Sequence, residues 1–248
     1  MSDFIRLFKE KGNLSFIGMR ETAESLLPVE RVERDKLYHD LDRGKGILDD
    51  EPHLNMYLHS FGKMHKAKLD VAFDAIPNFA QLLSEDFEIY DWGCGQGTAT
   101  ICLLDYLSSY KITPKLLNIN LIEPSKAAVK RASDVITCIN PNYTVKTITK
   151  DFDSLCVDDF EKSNHRKIHL FSNILDVEGF DLAKFILLFQ QSFNAANTFI
   201  CIGPYYSNSR RISEFIAATD PDEMFAIMDK DRGEWLNQWT ISLRIFDK

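Results

Sequence analysis

Asp91-Trp92-Gly93-Cys94-Gly95-Gln96-Gly97 is the stretch whose reading decides the fold. It follows Phe87-Glu88-Ile89-Tyr90-Asp91, an apolar run that suits a strand. It precedes Thr98 to Ser109, where Ile101, Leu104 and Leu107 recur at helical spacing. A tight turn from strand into helix needs backbone angles that glycine adopts freely. Glycine also lets a ligand come close to the main chain, and the helix start offers unpaired N–H donors. In that context the glycines read as the ligand-binding turn of an α/β sheet.

Working outward, the same alternation continues. Leu116 to Ile122, Thr144 to Thr149, Ile168 to Ser172 and Thr198 to Gly203 read as strands. Between them, Pro124-Ser125 opens a helix with Ala128, Ala132, Val135, Ile136 and Ile139 on one face. Asp181 to Ala195 and Ser209 to Thr219 are further helices, and Thr240 to Phe246 is a last strand with Met224 to Met228 as its hairpin partner. Strands separated by helices predict a mostly parallel, doubly wound sheet of about seven strands, the last antiparallel. Ligands of such sheets bind beyond the carboxyl ends of the strands, so the loops after Tyr90, Ile122, Thr149 and Leu170 should line one crevice. Before residue 87 the grammar differs. Val29, Val32, Leu37, Tyr38 and Leu41 sit at helical spacing after Pro28. Leu54, Tyr57, Leu58, Phe61, Met64, Leu69, Ala72, Phe73 and Ile76 mark one long helix, or two broken near Gly62. The expected organisation is a helical N-terminal extension over 1–86, a lid or substrate region, and a ligand-binding α/β domain over 87–248.

The 248 residues carry 29 Lys and Arg against 37 Asp and Glu, a net charge of -8, which disfavours a general nucleic-acid binder. No run of about 18 apolar residues predicts a membrane span, and the first residues lack the apolar core of a secretory signal. Cys94, Cys102, Cys138, Cys156 and Cys201 are scattered and never spaced as CxxC. They read as reduced thiols of a cytoplasmic protein. The histidines show no metal-ligand spacing, so no metal is expected.

The glycine loop is not a dinucleotide fingerprint, since Thr98 or Thr100 falls where a third Gly or Ala should be, and no Gly-Lys-Ser/Thr follows to make a P-loop. It resembles instead the D-x-G-x-G-x-G signature of class I S-adenosylmethionine-dependent methyltransferases, over roughly Phe87 to Gly203. The resemblance implies a Rossmann-like fold and S-adenosyl-L-methionine as cofactor. It implies cofactor contacts from Asp91, Gly93, Cys94, Gly95, Gly97, Pro124 and Asn173, with Asp91 near the methionine end. It implies that Glu123, next to Pro124, holds the ribose hydroxyls, where a carboxylate suits a diol because it accepts two hydrogen bonds. Asp151 would accept from the adenine amino group while Phe152 packs on the ring. Residues after the fourth strand, Asn173 and Asp176, would lie beside the methyl group.

The expected reaction is in-line methyl transfer to a small-molecule or protein acceptor. An RNA methyltransferase and a non-catalytic S-adenosylmethionine-binding interaction protein are the alternatives. The Asn/Asp-Pro-Pro-Tyr/Phe motif of base and amide methylation is missing after the fourth strand, where Ser172-Asn173-Ile174-Leu175 stands. Asn140-Pro141-Asn142-Tyr143 lies before the third strand and reads as a turn. Alignment supplies much of the rate in such a displacement, and a base is needed only where the acceptor keeps a proton. Asn173, Asp176 and His65 are the candidate catalytic residues, with Tyr57, His59, Glu178, Tyr205 and Tyr206 as further neighbours.

Overall fold

A computed structural model describes residues 2–42, 46–83, 85–175, 177–193, 196–204, 209–219, 223–229 and 241–247. Five helices come first: α1 (Asp3–Lys11), α2 (Phe16–Ser25), α3 (Arg31–Asp40), α4 (Glu51–Ala75) and the short α5 (Phe79–Leu82). Then strands and helices alternate: β1 (Phe87–Trp92), α6 (Thr98–Ser109), β2 (Leu116–Ile122), α7 (Lys126–Ile139), β3 (Thr144–Ile148), β4 (Arg166–Ser172), α8 (Leu182–Ser192), β5 (Asn197–Pro204) and α9 (Ser209–Thr219). β6 (Glu223–Asp229) and β7 (Ile241–Asp247) follow. The strand order is β3-β2-β1-β4-β5-β7-β6. β1 to β5 are mutually parallel, while β7 runs antiparallel to both β5 and β6. The chain starts at β1 and winds outward first to one side and then to the other, so the order reverses between β1 and β4. In sheets of this kind the ligand crevice lies at that point, at the strands' carboxyl ends.

Side-chain alternation divides the interior into two cores. Phe87 and Ile89 of β1, Ile168 and Leu170 of β4 and Ile200 and Ile202 of β5 face one side, packed with Phe4, Phe8, Phe16, Leu69 and Phe73 of the N-terminal helices. Those helices therefore share a continuous core with the sheet. Tyr90, Trp92, Phe171, Phe199 and Cys201 face the other side, against α8 and α9. This second core is aromatic: Trp92 stacks on Phe171 with ring centroids 5.7 Å apart, and its indole N–H donates to His169 Nδ1 at 3.1 Å. His169 in turn meets Asn197 Oδ1 at 3.0 Å, and burial pushes its pKa down to about 3, so it is a neutral linker between aromatic rings.

Several local expectations need correction. Of the two readings of α4, the single helix holds: it runs unbroken for 25 residues through Gly62, whose bare Cα receives the Phe16 ring. α3 starts at Arg31 with Glu30 as its cap, not directly after Pro28. Asp181 caps α8, its side chain accepting from the Lys184 N–H, and the helix ends at Ser192 rather than reaching Ala195, which lies outside the described residues. α5 and two single-turn 3-10 helices, Phe152–Ser154 and Val157–Asp159, had no periodic signal long enough to reveal them. Among the described residues no helix is long and apolar enough to cross a membrane, and no group of three or more His, Cys, Asp or Glu could hold a metal.

Candidate functional site

The glycine loop joins β1 to α6 at the head of the crevice. Gly93, Gly95 and Gly97 all have positive φ, of 61°, 51° and 77°. Their surroundings differ. A Cβ on Gly93 would lie 2.7 Å from Ile174 Cγ1, and one on Gly97 would lie 2.9 Å from Ala132 Cβ, so both glycines permit close packing of the protein on itself. A Cβ on Gly95 would meet nothing within 4 Å. Gly95 is thus the position where the main chain stands open to a ligand.

Two carboxylates frame this loop. Asp91 at the end of β1 is buried, and its Oδ2 accepts from the Thr100 hydroxyl at 2.7 Å and the Thr100 N–H at 3.2 Å. Burial pushes its carboxyl up to about 6, against the pull of those two bonds. Glu123 at the end of β2 is half-buried. Its Oε2 accepts the Gly95 N–H at 2.9 Å and its Oε1 the Ser125 N–H at 2.9 Å. Burial raises its pKa, and the two N–H bonds oppose that rise. Each Glu123 oxygen is fixed by one backbone donor and keeps a further lone pair, so the carboxylate is pre-oriented to accept from a diol. Pro124 makes the half-buried turn from Glu123 into α7, and Ser125 caps that helix by accepting from the Ala128 N–H. Cys94 is buried within the loop and its thiol is raised well above its ordinary value by that burial, which makes it a small packing residue rather than a nucleophile.

The loop after β3 places Asp151 on the surface, where it caps the first 3-10 turn by accepting from the Ser154 N–H at 2.8 Å. The hydrogen bonds to Ser154 hold its pKa low. Phe152 beside it is buried, edge-on to Phe180 with centroids 4.7 Å apart, and reaches Trp92 in the aromatic core. After β4, Asn173 adopts a left-handed φ of 57°, which Asn tolerates better than most residues. Its side chain therefore turns back towards α4. There Asn173 Nδ2 meets His65 Nδ1 at 2.9 Å, His65 Nε2 meets the Tyr57 hydroxyl at 3.2 Å, and the Lys68 ammonium donates to Asn173 Oδ1 at 3.2 Å. Burial, with help from Lys68, pushes His65 down to about 3, and burial together with nearby Glu123 pushes Tyr57 up to about 12. His65 is neutral and Tyr57 protonated across the physiological range. Asp176, Tyr205 and Tyr206 lie outside the described residues. Arg210 is exposed and pairs with Glu214, whereas Arg211 donates to the Leu175 and Phe180 carbonyls and braces the loop after β4.

Sequence reasoning missed Lys68, Gln96 and Arg131. Gln96, the side chain between the second and third glycines, is buried and donates to the Leu54 carbonyl of α4 at 2.9 Å. Arg131 of α7, also buried, donates to Gln96 Oε1 and Asn55 Oδ1 at 2.8 Å each, pairs with Glu51, and stacks on the Phe4 ring at 4.1 Å. One guanidinium therefore ties α1, the start of α4, α7 and the glycine loop together. A lone Gln or Arg in a sequence carries no signal of such a junction.

No known family and no curated protein matches the chain by sequence. Solved structures do. Magnesium protoporphyrin IX methyltransferase (ChlM) from Synechocystis PCC 6803, solved with bound SAM, is 15% identical at a TM-score of 0.50, over 87% of this chain and 95% of that one. Small RNA methyltransferase HEN1 is 14% identical at a TM-score of 0.50, over 75% of this chain and 25% of that one. A SAM-dependent methyltransferase from Archaeoglobus fulgidus is 9% identical at a TM-score of 0.49, over 78% of this chain and 98% of that one. At such identities the two likenesses at a TM-score of 0.50 speak for the fold alone.

Proposed function

With the class I methyltransferase fold as premise, we propose that the protein is an S-adenosylmethionine-dependent methyltransferase acting on a small-molecule or protein acceptor. One observation carries the reading. At the switch point of the sheet, an open Gly95 main chain stands beside a Glu123 carboxylate already oriented by two backbone N–H groups. A nucleoside with a free diol fits that donor and acceptor set. Glu123 accepts from the ribose hydroxyls, Gly95 allows the close approach, and Asp91 at the base of the loop offers negative charge to the amino-acid end. Asp151 and Phe152 border the adenine side, and Asn173 with His65 borders the reacting side. The start of α4 borders the glycine loop, tied to it through Gln96 and Arg131.

When bound, the cofactor would supply a methyl group already activated on a sulfonium, held by Glu123, Gly95 and Asp91 for in-line displacement by the acceptor. The chain's own task is alignment and exclusion of water. Neutral His65 is a weak base with its Nδ1 lone pair already taken by Asn173, so its role is to position rather than to deprotonate. Calorimetric titration with S-adenosylhomocysteine tests the reading. Saturable one-to-one binding is expected, and no heat of binding at millimolar ligand overturns it.

A further inference from the structure

The Tyr57–His65–Asn173–Lys68 chain has a direction, and the direction can be worked out from donor counts alone. Lys68 carries donors only, so the Asn173 atom facing it must be the amide oxygen. Nδ2 then points the other way, and its two hydrogens go to His65 Nδ1 at 2.9 Å and Ser172 Oγ at 3.2 Å. His65 Nδ1 is therefore an acceptor. A neutral imidazole with an accepting Nδ1 bears its proton on Nε2, which donates to the Tyr57 oxygen at 3.2 Å. Tyr57 accepts there and makes no other hydrogen bond among the described residues, so its own proton is left for a ligand.

We propose that this relay fixes Tyr57 as a hydrogen-bond donor into the crevice, and that the site takes a methyl acceptor bearing an anionic oxygen, of the carboxylate class. The inference rests on the methyltransferase reading. A nucleophile that accepts from Tyr57 must keep a second lone pair for attack. A carboxylate has about four acceptor sites and retains several, whereas a neutral amine has one and loses it to the phenol. Of the charges that reach the relay, the Lys68 ammonium, one amide away from His65, favours an anion, and the Glu123 carboxylate opposes it. A carboxylate has no proton to lose, so transfer to it forms an ester and a neutral thioether without a base, which suits a site whose imidazole is committed to hydrogen bonding. Tyr57 stacks on His65 and continues to Phe61 and Tyr38, with centroids 5.9, 5.3 and 6.2 Å apart along the series, so the phenol is the polar end of an aromatic row and an aromatic acid is the probe of choice.

Two measurements on the full chain test this. Nitrogen NMR of histidine-labelled protein should show His65 as the neutral Nε2–H tautomer from about pH 5 to pH 8. Asn173→Asp, which can only accept, should switch it to Nδ1–H at about pH 8. A wild-type Nδ1–H form, or Nε2–H retained in the variant, overturns the relay. Benzoate and benzylamine are then titrated into protein saturated with S-adenosylhomocysteine. Benzoate should bind at least tenfold more tightly, and Tyr57→Phe should remove about tenfold or more of its affinity. Equal or tighter benzylamine binding, no benzoate binding, or an unaffected Tyr57→Phe variant overturns the acceptor class. Failure of the S-adenosylhomocysteine saturation itself would instead overturn the methyltransferase reading.

Discussion

Replacing Asp91 by Asn exchanges a buried charge for a neutral amide that still offers an oxygen to Thr100. In the folded protein burial pushes the carboxyl from 3.8 up to about 6. Between those two values the folded state holds its proton more tightly than the unfolded chain does. The site's contribution to stability is therefore highest below about pH 4, falls as pH rises towards 6, and stays low above it. At about 1.4 kcal/mol per tenfold shift, the gap amounts to roughly 3 kcal/mol. The amide brings a cost of its own, since its NH2 replaces an oxygen with no hydrogen bond among the described residues, but that cost does not depend on pH. The quantity to measure is a double difference: urea unfolding of wild type and Asp91→Asn at about pH 4 and about pH 8. Relative to wild type, the variant should gain about 2–3 kcal/mol between the two. A difference independent of pH would refute the placement of Asp91 as a buried, charged group. Cofactor binding should move the other way. S-adenosylhomocysteine affinity should fall in the variant, because the negative charge that costs stability is the one offered to the ligand's ammonium group.

Glu123→Ala should weaken S-adenosylhomocysteine by tenfold or more in calorimetry, since charge-assisted hydrogen bonds contribute about 1.5–3 kcal/mol each; unchanged affinity would remove Glu123 from the site. Gly97→Ala should cost about 2–4 kcal/mol of stability, combining left-handed strain with the 2.9 Å approach to Ala132. Gly95→Ala should cost only about 1–2 kcal/mol, from strain alone, yet lose cofactor affinity; a Gly95→Ala protein that binds normally would show that no ligand lies against that residue. Arg131→Met should cost about 2–4 kcal/mol in chemical denaturation by stranding the Gln96 and Asn55 oxygens, and a loss below about 0.5 kcal/mol would show that the junction carries no load.

What the sequence disclosed and what it hid divide along a physical line. Interactions that repeat with a period were legible: the two-residue alternation of β1 and β4, the buried face of α7 and the turn glycines all follow from local geometry. The placement of Glu123 and Asp91 at strand ends was legible too, while the roles expected of them came from the resemblance and not from local geometry. Contacts made by a single side chain across the fold were not. Lys68 and Asn173 are 105 residues apart, and Gln96 reaches Leu54 across 42. His65 shows the cost of that limit. As a lone histidine on a helix it invites the role of base, yet with Asn173 on one nitrogen and Tyr57 on the other it has no lone pair to lend. Its chemistry is set by a lysine three residues along its own helix, acting through an amide from another element. The role of a titratable residue is decided by which atoms its partners leave available, and that count requires the fold.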